Sequence, residues 1–129
     1  MRIFHIASRQ AWTEAARAGL YVSSSLATEG FIHCSTCSQV LPVARQFYRG
    51  QTGLVLLAID PARLTALLKW EPPSDGLPPE GVPVGDPFPH VYGSINADAV
   101  VQVMDFEADA TGQFTLPGSV LANDHPGGA

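Results

Sequence analysis

The sequence predicts one α+β domain, a mixed or antiparallel β-sheet carrying two or three helices. Three observations predict it. Short runs rich in β-branched and aromatic residues alternate with a period of two, as half-buried strands do. Between them lie Ala- and Leu-rich stretches with apolar residues at helical spacing, punctuated by Ser, Asp, Gly and Pro at cap and turn positions. Finally, 129 residues with 46% hydrophobic and 15% charged side chains suit a single buried core.

Residues 2 to 7 place Arg2, Phe4 and Ile6 on one face of a strand and Ile3, His5 and Ala7 on the other. Ser8 is an N-cap for a helix over 10–18, and Gly19 is its stop. Trp12 recurs with Ala15, Ala16 and Gly19 at helical spacing, which makes it a core anchor. Leu20 to Leu26, with Ser23, Ser24 and Ser25, reads as a connection or short edge strand, and 27–30 as a turn. In the next strand Phe31, His33 and Ser35 share one face, Ile32 and Cys34 the other. Thr36 or Ser35 caps a following helix, in which Pro42 demands either a kink or a start near Leu41. Gly50 ends it.

The run 53–59 is continuously apolar, as a central strand buried on both faces should be. Asp60-Pro61 opens a short helix over 62–68, and Lys69-Trp70-Glu71 returns to the sheet. Between Pro72 and Pro89 fall seven of the eleven prolines, so this long segment has no regular structure and is a lid or loop. Strands follow over 90–95, 100–106 and 113–116. The domain spans 1–116, and 117–129 reads as a flexible tail containing His125.

Composition excludes several functions. Seven Lys and Arg against twelve acids give a net charge of −5 without a basic cluster, which argues against extended nucleic-acid binding. The longest apolar run is too short to span a membrane. The N-terminus lacks the pattern of a signal peptide, so the expected address is cytoplasmic. Cys34-x-x-Cys37 has redox or zinc spacing, but no second such pair follows, and Cys34 falls on a core face. Oligomeric state is not legible.

Three of the four histidines, His5, His33 and His90, lie on apolar strand-like runs, where a polar ring needs a reason. If those strands are neighbours, the three rings converge on one cleft as candidate catalytic groups. Ser35, Tyr92, Gly93 and Glu71 are the candidate ligand contacts. No metal is expected, because no H-x-H or H-E-x-x-H places two ligands on one element. A G-x-S-x-G elbow and a phosphate-cradling Gly-rich loop are also lacking.

The succession Phe4-His5-Ile6, Trp12, Gly19-Leu20-Tyr21, Glu29 to Ser35, Gln39, Phe47 to Gly50, Leu54 to Asp60 and Phe88 to Gly93 resembles the domain of unknown function 952 family. More distantly the chain resembles the ADP-ribosyltransferase fold, including the tRNA 2′-phosphotransferases, with His5 matching the first-strand histidine and His33 and Ser35 the second-strand pair. That resemblance implies a split β-sheet cleft for NAD or a similar nucleotide, and a transferase of ADP-ribosyl or phosphoryl type. The alternatives are a non-catalytic binding or interaction module that kept the fold, and a histidine-based metal-dependent hydrolase. The late E-x-E or Q-x-E pair of ADP-ribosyl transfer has no counterpart here. Of the acids near strand ends, Glu29 and Glu71 are the two that can assist a ribose.

Overall fold

The computed structural model describes residues 1–74 and 76–123. Its strands form three antiparallel groups, two of three strands and one of two. In the first group β4 (Leu54–Ile59) lies between β1 (Ile3–Ser8) and β8 (Val100–Asp105). All six residues of β4 are buried, which is why its sequence shows no alternation. Its two faces feed two cores. Val55, Leu57 and Ile59 join Ile3, Ala7, Ile32, Cys34 and Val91, while Leu54, Leu56 and Ala58 join Phe4, Ile6, Val40, Ala44 and Phe106.

Helix α1 (Arg9–Ala18) begins and ends as its cap residues dictate. The Ser8 hydroxyl accepts from the Ala11 N–H at 3.1 Å, and Gly19 takes the left-handed conformation (φ 89°) that closes the last turn. Trp12 packs, half buried, against the first core. The next segment agrees with expectation only in part. Leu20–Tyr21 forms the short strand expected, β2, paired with β7 (Ile95–Asn96), but Ser24–Glu29 forms a helical turn and a half, α2, where a connection and turn are expected. Ser23 is its N-cap and Gly30, at φ 89°, its stop.

The last group runs β3 (Ile32–His33), β6 (Phe88–Tyr92), β5 (Leu67–Glu71). Beyond β3, Thr36 and Gln39 form a capping box around a 3-10 turn, Cys37–Gln39, that leads into α3 (Val40–Phe47). Pro42 then sits within the first turn, where its missing N–H has no intrahelical partner to lose. The expected start near Leu41 holds, and no kink is needed.

Two further expectations are corrected. The helix over 62–68 is a single 3-10 turn, Pro61–Arg63, because the Asn96 side chain takes the Thr65 N–H at 3.0 Å and Leu67 onward pairs with β6. The strand over 113–116 does not form. Instead Phe114 stacks on Phe106 with centroids 5.0 Å apart, and Asp109 closes the preceding turn through Thr111 and Gln113. Where an unpatterned tail is expected from Pro117 onward, Gly118–Asn123 is helical (α4) and Val120 is buried in the second core. His125 lies outside the described residues.

The first and third strand groups touch through one backbone bridge. Phe4 and Ser35 exchange N–H···O bonds of 2.8 Å in each direction. Continuing that antiparallel register by two residues would join the Ile6 N–H to the His33 carbonyl. The His5 imidazole takes that carbonyl instead, at 2.6 Å, and the two groups separate there.

Candidate functional site

That separation opens a cavity of about 420 Å³, lined by His5, His33, Ser35 and His90 together with Glu29 and apolar residues of α3 and the Pro-rich segment. The register explains how the rings meet. His33 and His90 are directly opposite each other across β3 and β6, so their side chains share the face away from the Ile32–Val91 pair in the core. Their ring centroids are 5.5 Å apart and nearly perpendicular. Phe31 stacks on His90 at 4.1 Å and meets His33 edge-on at 4.8 Å, holding both rings in place.

Each of these two rings is paired with a carboxylate. His33 Nε2 lies 2.9 Å from Glu29 Oε2, one turn back across Gly30. His90 Nδ1 lies 2.8 Å from Glu71 Oε1, and the Tyr92 hydroxyl donates to the same oxygen at 2.6 Å. Glu71, His90 and Tyr92 meet because β5 and β6 run antiparallel, with Glu71 opposite Phe88 and Lys69 opposite His90. Lys69 Nζ lies 4.7 Å above the Tyr92 ring.

The electrostatics follow from these contacts. The Tyr92 and His90 hydrogen bonds lower the Glu71 pKa, and the His33 hydrogen bond lowers that of Glu29. His90 titrates below an ordinary histidine because burial disfavours its charged form, a shift that Glu71 partly opposes. Neutral His90, donating from Nδ1 to Glu71, carries its lone pair on Nε2. A neutral His33 donating from Nε2 to Glu29 carries it on Nδ1. A carboxylate that fixes the tautomer of an imidazole is the arrangement used to prepare a general base.

His5 has a different setting. Its Nδ1–H donates to the His33 carbonyl, so Nε2 accepts from the Tyr21 hydroxyl at 2.9 Å. Burial pushes its pKa down to about 4. With both nitrogens engaged and no charge near neutrality, His5 positions the His33 strand. Ser35 is buried and contributes the backbone bridge to Phe4. Tyr92 and Glu71 stand behind His90 and do not line the cavity. Gly93 is packed against Ala66, where an added Cβ would fall 2.8 Å from the Ala66 Cβ. Two neighbours absent from the sequence-derived set matter here, Phe31 and Tyr21. The first shares the alternating face of His33, a signal already in the sequence, whereas nothing in the sequence pairs Tyr21 with His5.

Cys34 is buried among core residues, and desolvation raises its thiol pKa to about 12, so it packs as an apolar side chain. The Pro-rich segment contributes Pro73, Ser74, Leu77 and Pro79 to the cavity wall. Its far end is tied down by buried Gln39, whose amide donates to Asp86 Oδ2 at 3.0 Å and to the Pro87 carbonyl at 2.9 Å. Among the described residues no group of three or more His, Cys, Asp or Glu is arranged to hold a metal ion. No helix among them is long and apolar enough to cross a membrane.

Fold and site together define a small α+β protein with antiparallel sheets separating around a histidine-lined cavity. The chain belongs to the DUF952 family, described as protein of unknown function, which matches residues 6–103. It is similar to CC0527 from Caulobacter crescentus. One crystal structure of that protein is 34% identical with a TM-score of 0.76, covering 95% of this chain and 99% of that one. A solution NMR structure of CC0527 is 33% identical with a TM-score of 0.66, covering 87% and 90%. No curated protein matches the chain. The more distant resemblance to ADP-ribosyltransferases finds no support in these structures and rests on the sequence motifs.

Proposed function

We propose that the cavity binds the ring-and-ribose portion of a nucleotide-like donor of the NAD class and supports transfer of its ADP-ribosyl group. One observation carries this reading: two imidazoles 5.5 Å apart at one cavity, each oriented by its own glutamate. Cleaving the bond between a ribose and a cationic base puts positive charge on the ribose, which a nearby carboxylate stabilises. Glu29 is the carboxylate that lines the cavity, and His33 beside it holds a lone pair for an incoming hydroxyl proton. His90 Nε2 serves a ribose hydroxyl, and Glu71 fixes the tautomer that lets it do so.

The charges favour ribosyl over phosphoryl transfer. No Lys or Arg is among the described residues that line the cavity, whereas phosphoryl transfer depends on cations clamping the transferred group. The phosphates of the donor then face solvent, and Pro73, Ser74, Leu77 and Pro79 wall the rest. One feature favours the rival reading of a non-catalytic module. Strand β8 carries no pair of glutamates, and its Asp105 carboxylate is paired with Arg9.

Thermal unfolding and NAD turnover test the proposal together. NAD or ADP-ribose at about 100 times its Kd should add roughly 2.7 kcal/mol of stability, a shift of several degrees. Loss of NAD with release of free base should be measurable for the native protein, and reduced at least tenfold by Glu29→Gln and by His90→Ala. Stabilisation without turnover would assign the binding module, and neither effect would end the nucleotide reading.

A further inference from the structure

A second cleft, of about 340 Å³, adjoins the first at the His5–His33 contact. The two clefts share four residues, His5, Ile6, His33 and Tyr48. The remainder of the second lining comes from β2, the start of α2 and the β1–α1 junction. It is built of hydroxyl groups and small or apolar side chains, including Ser8, Tyr21, Ser23, Ser24 and Ser25. No Asp, Glu, Lys or Arg is among the described residues that line it.

Three hydroxyls of this cleft, those of Tyr21, Ser23 and Ser25, are wired to the strand that carries His33. Ser23 and Ser25 share a hydrogen bond of 2.8 Å, and the Ser25 hydroxyl donates to the Phe31 carbonyl at 2.7 Å. Tyr21 reaches the His33 carbonyl through His5, by the two bonds already described. The carbonyls on either side of Ile32, on the edge of β3 away from β6, are therefore held by side chains rather than by another strand. The floor of the second cleft and the support of the His33–Phe31 face are the same set of groups.

We infer that the second cleft is the acceptor subsite, taking a neutral molecule that bears hydroxyl groups, such as an alcohol or sugar, and presenting one hydroxyl to His33. The inference rests on the transfer reading of the first cavity. A hydroxyl-lined, uncharged wall compensates a neutral polyol hydrogen bond for hydrogen bond, but provides nothing to offset the desolvation of an anion or a cation. In the transfer step the bond from ribose C1′ to the base nitrogen breaks. The electron pair leaves with the base, which departs neutral, and the acceptor oxygen forms the new bond to C1′. The acceptor proton passes to His33 Nδ1.

Amide NMR with one neutral and one anionic ribose derivative tests the subsite independently of turnover. Methyl β-D-ribofuranoside should shift the amides of Tyr21 and Ser23 to Ser25 in the native protein and equally in His90→Ala, while ribose 5-phosphate shifts them at least tenfold less at equal concentration. Ser24 is exposed at the start of α2, so Ser24→Trp fills the cleft without entering the core. That variant should lose the riboside shifts. With NAD present, its ratio of transfer to hydrolysis in added riboside should fall at least tenfold.

Shifts that favour the phosphate, or that survive Ser24→Trp, overturn the assignment. So does the absence of riboside shifts in this cleft, whatever NAD does at the first cavity. If NAD is not consumed but the riboside shifts occur as stated, the transfer reading fails while the neutral-ligand site stands.

Discussion

The imidazole of His5 occupies the place on the His33 carbonyl, at 2.6 Å, that a backbone N–H of β1 would hold if the Phe4–Ser35 ladder continued. A side chain has been inserted where two strand groups would otherwise zip together. Both clefts open around that contact, and both include His5 and His33 in their walls.

The His5 contact makes stability depend on pH. In the unfolded chain His5 takes up a proton near its ordinary pKa of 6.5, but the folded protein resists it until about pH 4. Between these values the unfolded state binds more protons, so stability is full above pH 6.5 and falls as pH drops toward 4. The loss attributable to this ring is on the order of 3 kcal/mol. Urea unfolding at a series of pH values measures it. His5→Phe should be less stable at pH 8, by about 1–3 kcal/mol for the lost bonds to Tyr21 and His33, yet should show a shallower decline across the same window.

Glu71 fixes the protonation of His90 without touching the cavity, so its removal should be read on the ring. In Glu71→Gln the negative charge that holds the His90 pKa up is gone, and the midpoint of His90 moves lower still. Histidine NMR titration should show that downward shift for His90. An unchanged His90 midpoint would falsify the pairing. Under the proposed function the same variant lowers kcat more than it raises KM, since it changes the tautomer rather than the ligand contacts.

Gly93 is a test of packing rather than chemistry. Its added Cβ would meet the Ala66 Cβ at 2.8 Å, at a backbone φ of 155° that side chains rarely adopt. Gly93→Ala should destabilise the protein by about 1–3 kcal/mol in urea unfolding. Adding Ala66→Gly should recover part of that loss. If the double variant is no more stable than Gly93→Ala, the close approach is not the cause.

Much of this site was legible in the chain. The period of two around Phe31, His33 and Ser35 separates cavity face from core face, and Ile32 and Cys34 are indeed buried in the first core. What was not legible is which partner each polar group meets. Glu71 reaches His90 only through the register of β5 on β6, across nineteen residues of sequence separation. Residues 24–29 and 62–68 also differ from their expected form, because single helical turns have too few local contacts to choose a conformation unaided. For 62–68 the choice is made by Asn96 and β6, which lie far along the chain.

The sequence by itself determined the α+β class, the buried central strand at 54–59, the caps at Ser8 and Gly19, and the faces on which His33 and His90 stand. These depend on local period and local hydrogen bonding, which a few adjacent residues specify. The tertiary structure alone decided that His5 bonds the His33 carbonyl and the Tyr21 hydroxyl and that each remaining ring has its own glutamate. It also decided that the gap between the sheets holds two clefts. Those outcomes depend on strand register and on where a ladder stops, and register is fixed only when distant strands meet.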